Sequence, residues 1–109
     1  MNGKSAGVAF DEPALRSDVA RLRNEVDALD LRLLEILAMR IAIVRELAAH
    51  KCALGIPLCD AKREAEMAEL HARWAERLDL PQRLVSDLFS LVLQSSRELQ
   101  ASLSHGAVH

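Results

Sequence analysis

A chain of 109 residues sets the expectation at a single domain. Half of its residues are apolar and 28% are charged, yet it holds no Tyr, two Phe and one Trp. Thr is absent too, while Ala, Leu, Glu and Arg dominate. Sheets are rich in β-branched and aromatic residues and helices in the types abundant here, so the composition excludes a sheet-rich fold. A net charge of −2 gives no long-range pull toward nucleic acid or an anionic membrane. No apolar run reaches the ~18 residues of a membrane span, and Met1-Asn2-Gly3-Lys4 does not open a signal peptide. Cys52 and Cys59 lie outside any C-x-x-C motif, which fits two reduced thiols in a cytoplasmic protein.

Gly and Pro, at 3, 7, 13, 55, 57, 81 and 106, leave three stretches free of helix breakers: Ala14–Leu54, Leu58–Leu80 and Gln82–His105. In the first, Leu15, Val19, Leu22, Val26, Leu29, Leu33, Leu37, Val44 and Leu47 recur in the steps of one helix face. Gly55 suits a C-terminal cap, and Pro57 forbids continuation. Asp60 stands where a second helix, running to Leu78, wants its N-cap, and within it Met67 and Trp74 read as core. Pro81 suits the first position of a third helix through Leu84, Val85, Leu88, Phe89, Val92, Ser96 and Leu99. Residues 1–12 and 105–109 lack periodicity and are expected to be flexible, leaving 13–104 as the helical domain. The fold class is all-α: three helices, the first very long.

That first helix, of about 40 residues, is a rod of roughly 60 Å, whereas a compact chain of this size is only ~35 Å across. Two short helices cannot cover such a rod. A second copy in a two-fold, intertwined dimer is the simplest cover. A kink would need a Pro or Gly that the stretch lacks; a parallel coiled coil is the other alternative, although the apolar stripe is wider than a strict a/d seam.

Polar residues interrupt the apolar faces. Arg40 lies seven residues from Leu33, within ~20° of it around the helix, and Lys51 lies eighteen residues, five full turns, away. A buried charge without a partner is costly, so an anion should meet these cations. It could be an Asp or Glu of another helix, or a ligand, and the side chains could also snorkel to the edge. Ser96 and Gln100 follow Val92 at successive steps of four and add two uncharged donors. Asp60 and Glu64, one turn apart, either complement a helix dipole or accept hydrogen bonds. This inventory suits a small dianionic ligand bearing a hydroxyl. No nucleophile motif, phosphate loop or His spacing for a metal is present, and His50 and His71 read as surface residues.

The spacing Leu22-Arg23, Val26-Asp27, Leu29-Asp30, Leu33-Leu34, Arg40, Lys51, Gly55, Pro57, Asp60, Arg63-Glu64, Leu88-Phe89, Ser96 and Gln100 resembles that of the all-helical (AroQ-type) chorismate mutases. The similarity runs from Leu22 to Gln100 without a gap. It implies an intertwined dimer that turns chorismate into prephenate without cofactor or metal. By this resemblance, Arg40 binds a substrate carboxylate with help from Ser96. Lys51 contacts a carboxylate and the breaking ether oxygen, which Gln100 meets from the other side. Asp60 and Glu64 accept from the ring C4 hydroxyl, supported by Arg63, and Arg23 arrives from the other protomer. Arg23 and Arg40 are seventeen residues apart, ~25 Å along a straight helix, too far to share one small ligand within a chain.

This sequence has Asp60-Ala61-Lys62 where the family often shows Asp-Pro, although the N-cap role survives. Isochorismate-pyruvate lyases and aminodeoxychorismate mutases share the fold, but tend to carry an apolar residue where Glu64 stands. Ala72-Arg73-Trp74-Ala75-Glu76 looks somewhat lyase-like, away from the binding positions. A non-catalytic helical dimer that binds a protein partner, its cations paired internally, is the other alternative. The chain is short for an appended amino-acid-sensing domain, so feedback control is expected from another protein.

Overall fold

The structure, a computed structural model, describes residues 11–108, with side chains to Ser102. Three α-helices make up nearly all of it, and the fold is all-α as expected: α1 Glu12–Leu54, α2 Ala61–Arg77 and α3 Gln82–Val108. Helix α3 continues past the expected boundary at 104, and the segment 1–12 lies, but for its last two residues, outside the described residues. None of the described helices is long and apolar enough to cross a membrane.

Helix α1 opens two residues before Ala14. The Asp11 carbonyl accepts from the Leu15 N–H at 2.9 Å, which places Pro13 in the first turn. Its missing N–H has no intrahelical role there. At the other end Gly55 takes φ +70, with its N–H on the Cys52 carbonyl and the Ile56 N–H on the Lys51 carbonyl. This paired arrangement satisfies the last carbonyls and confirms Gly55 as the cap. No atom stands within 4 Å of a Cβ built at Gly55, so only backbone strain opposes a side chain. Gly55→Ala is therefore expected to lower stability by about 1 kcal/mol, read as a shifted urea midpoint at fixed protein concentration.

Helix α2 is capped by Asp60, whose Oδ1 accepts from the Arg63 N–H at 3.2 Å. Its C-terminus carries the same paired motif without a glycine: Asp79 takes φ 55, and the Leu80 N–H reaches the Ala75 carbonyl at 2.8 Å. Asp is among the few residue types that enter the left-handed region readily. Pro81 stands one position earlier than expected. Its carbonyl accepts the first helical bond of α3, from the Val85 N–H, so it is the cap rather than the first helical residue.

The chain divides into two compact units after Met39. In the first, Glu12–Met39 of α1, Arg21 pairs with Glu25 at 2.7 Å and Arg16 with Glu12 at 3.2 Å, solvated pairs worth a few tenths of a kcal/mol at most. The expected stripe of Leu15, Val19, Leu22, Val26, Leu29 and Leu33 is present and exposed, by 44% to 65%. Leu31, Leu34, Ile36 and Met39 are exposed as well, off that stripe. The middle of the helix is apolar on more than one face, the pattern of a helix meant to be surrounded.

The second unit holds Arg40–Leu54 of α1 together with α2 and α3. Its buried apolar residues are small: Ala48, Ala75 and Val85, one from each helix. The Gln82 side chain donates to the Ala72 carbonyl at 3.0 Å and ties the start of α3 to α2. Trp74, expected in the core, is 38% exposed. It lies next to buried Ala75, so their side chains diverge by about 100° and only one can face inward. Met67 is half-buried and borders a cavity, which three long-side-chain helices enclose instead of a packed centre.

Candidate active site

The cavity of the second unit has a volume of about 700 Å³ and draws on all three helices. Helix α1 contributes Arg40, Val44, Leu47 and Lys51, α2 contributes Arg63, Glu64, Met67 and His71, and α3 contributes Phe89, Ser96 and Gln100. Asp60 borders it from the cap of α2. Seven of the eight residues singled out by sequence thus meet in one place. Arg23 does not line this cavity; it belongs to the first unit, where it is exposed.

Arg40 donates from Nη1 to Ser96 Oγ at 3.4 Å, linking α1 to α3 across the cavity. Lys51 donates from Nζ to the Leu58 carbonyl at 3.5 Å, its stem half-buried beside the α1–α2 loop. Among the described residues neither cation forms an ion pair with a carboxylate. The expectation of two cations on a dry face needs correcting, because Arg40 is exposed and no polar residue is fully buried among those described. Their face of α1 borders open cavity rather than a packed helix. That geometry removes the burial cost, and it also leaves their charge available.

On the acidic side, Asp60 spends one carboxylate oxygen on capping α2. Glu64 is held by Arg97, whose Nη2 donates to Oε1 at 2.6 Å. The family resemblance assigns Arg63 to the support of Asp60 and Glu64; its backbone N–H donates to Asp60, while the side-chain bond to Glu64 is made by Arg97. Arg97 comes across from α3. It lies off the apolar stripe, so periodicity gives no sign of its role. A carboxylate with one such bond keeps further lone pairs for a ligand donor. Gln100 is half-buried against the cavity and makes no side-chain hydrogen bond among the described residues.

His71, expected on the surface, is half-buried and faces the cavity. Its ring stacks on Phe89, with centroids 3.6 Å apart and planes at 15°. Trp74 stands tilted beside it at 5.7 Å. Desolvation first, and then the Arg40 guanidinium, hold its pKa below the usual 6.5. A sequence signal existed: Asp60, Glu64, Met67, His71 and Ala75 succeed one another by steps of three and four, so His71 shares the face of the two acids. His50 is exposed as expected, with Nδ1 2.7 Å from the Glu46 carbonyl oxygen. No three His, Cys, Asp or Glu among the described residues cluster closely enough to hold a metal ion.

The family described as chorismate mutase type II matches residues 22–101, most of the chain and every residue of the site. The chain belongs to that family. Among curated relatives, it is 32% identical over 80 residues to a T-protein of Enterobacter agglomerans, covering 73% of this chain and 21% of that protein. It is 23% identical over 82 residues to a chorismate mutase of Methanocaldococcus jannaschii, covering 75% of this chain and 83% of the other. A T-protein of Haemophilus influenzae is 28% identical over 75 residues, covering 69% of this chain and 20% of its own length. The chain thus spans about a fifth of each T-protein and most of the Methanocaldococcus jannaschii protein. The matched span of the chorismate mutase type II family coincides with the Leu22–Gln100 resemblance and includes Arg23.

Proposed function

We propose that the chain is a chorismate mutase, converting chorismate to prephenate in a two-fold homodimer whose sites draw on both chains. The observation that carries this reading is the pair Arg40 and Lys51. They meet in one cavity without a carboxylate ion pair among the described residues, beside neutral donors and two carboxylates. A dianion with a hydroxyl answers each of these groups. Arg40, with Ser96, takes one carboxylate. Lys51 takes the other and reaches the ether oxygen, where negative charge grows as the C–O bond lengthens, and Gln100 donates to that oxygen. Asp60 and Glu64 accept from the ring hydroxyl, Glu64 braced by Arg97. The rearrangement is unimolecular and needs neither nucleophile nor cofactor, so holding the enolpyruvyl group over the ring is itself catalytic.

The dimer is supported by what the single chain leaves uncovered. Ala48, Ala75 and Val85 bury far too little apolar surface to offset the conformational entropy of ordering the chain, while the α1 stripe lies exposed. A second copy would cover that stripe and supply its Arg23 to a substrate carboxylate.

The test follows chorismate consumption by purified protein, with prephenate and pyruvate assayed separately and isochorismate run in parallel. Chorismate loss matched by prephenate is the expected result. Failure to consume chorismate overturns the reading, and pyruvate release from isochorismate identifies a lyase instead.

A further inference from the structure

We propose that His71 is a ligand-contacting residue of this cavity and that it takes up a proton when an anion binds, so that the site grips dianions more tightly as pH falls. The inference rests on reading the cavity as an anion site and assigns it a residue outside the inventory of cations, amide, hydroxyl and carboxylates described above.

The geometry carries it. One face of the imidazole lies on Phe89, which fixes the ring plane, and His71 lines the cavity. Among the described residues its ring nitrogens have no hydrogen-bond partner, although Arg40, Ser96 and Glu64, which line the same cavity, each have one. A donor held rigidly in a cavity and unused by the protein is available to a ligand.

The charges around it set the direction of the coupling. From α1 the cavity receives Arg40 and Lys51, from α3 Arg83, and from α2 itself Arg63 against Asp60 and Glu64. Glu64 is already bound to Arg97 and Arg83 lies 3.6 Å from Asp87, so in the empty cavity Arg40 is the charge felt most by the imidazole. The ring is then neutral near pH 7. A dianion seated between Arg40 and Lys51 cancels that field and adds its own, which favours the imidazolium. Phe89 offers its π face to that cation, so protonation keeps the stack intact.

The signs differ between the empty and occupied protein. Without ligand, the unfolded chain binds the His71 proton more readily than the folded one. This group therefore costs stability as pH falls through 6.5, and contributes nothing above it. With ligand, the same acidification tightens binding.

The experiment uses a bicyclic dicarboxylate that mimics the transition state of the rearrangement. Binding is measured by calorimetry at pH 6 in two buffers of different ionisation heat, and affinity is followed to pH 8. Wild type is expected to take up protons on binding and to bind roughly three- to tenfold more tightly at pH 6 than at pH 8. His71→Leu, which keeps an apolar contact with Phe89, is expected to bind with less proton uptake and a flatter pH profile. His71→Gln serves the same comparison should the Leu variant fold poorly. NMR of the imidazole, assigned by its loss in either variant, should show its titration midpoint rising when the analogue is bound. Binding with equal proton uptake in wild type and variants, or an unmoved midpoint, overturns the role of His71 and leaves the mutase reading standing. Absence of binding to the folded protein at every pH overturns both.

Discussion

Lys51→Ala is expected to lower chorismate turnover by at least roughly 10²–10³-fold, the loss typical when one donor to a developing oxyanion is removed. In the proposed reaction Lys51 would bring a full charge to the ether oxygen and Gln100 a dipole, so the loss at Lys51 should exceed that at Gln100. The fold has little at stake in this side chain. Its ammonium makes one long contact, 3.5 Å to the Leu58 carbonyl, and no ion pair among the described residues. Circular dichroism and sedimentation should therefore match wild type while kcat falls. Near-normal turnover by a folded Lys51→Ala protein would remove Lys51 from the site. Lys51→Arg separates charge from shape: a retained cation in a fork geometry should recover binding more than rate, because the ether oxygen requires a point donor at one position.

Mixing two inactive variants should restore activity. In a homodimer with shared sites, Arg23→Ala and Arg40→Ala each damage both sites. A heterodimer instead collects both lesions in one site and leaves the other whole. Random exchange makes half the dimers heterodimers with one intact site of two, so recovery should approach about a quarter of wild-type activity. Each variant alone should lose most of its kcat/KM, since an arginine–carboxylate contact is bidentate and charge-assisted. Chains are mixed, exchanged under mild denaturant and assayed as the mixture; a different tag on each variant then isolates the heterodimers, which by themselves should reach about half of wild-type activity. No recovery in verified heterodimers would place Arg23 outside the site.

The helices and most of the cavity are legible because they obey spacing rules. Gly55 and Asp60 could be read as caps from their types and places, and Arg40, Lys51, Ser96 and Gln100 from their register with apolar neighbours. Legibility ends where a residue works across elements or against its type. Arg97 braces Glu64 from another helix, at a position whose own helix gives no hint of it. Asp79 turns the chain in a left-handed conformation, where a search for Gly and Pro sees nothing. Polarity alone makes His71 a surface residue, whereas its register, one and two turns beyond Met67 and Glu64, puts it on the cavity face. Trp74 reads as core by its size, whereas the buried apolar residues among those described are two alanines and a valine.

The cavity's charge has a kinetic meaning that the whole chain's charge conceals. The protein carries −2, but Arg40, Lys51, Arg63 and Arg83 line the cavity against Asp60 and Glu64. A dianion therefore approaches a molecule that repels it weakly at a distance and attracts it near the opening, where low-dielectric walls concentrate the field. Encounter is steered only within about a Debye length, ~8 Å at physiological ionic strength, so added salt slows capture while leaving the chemical step untouched.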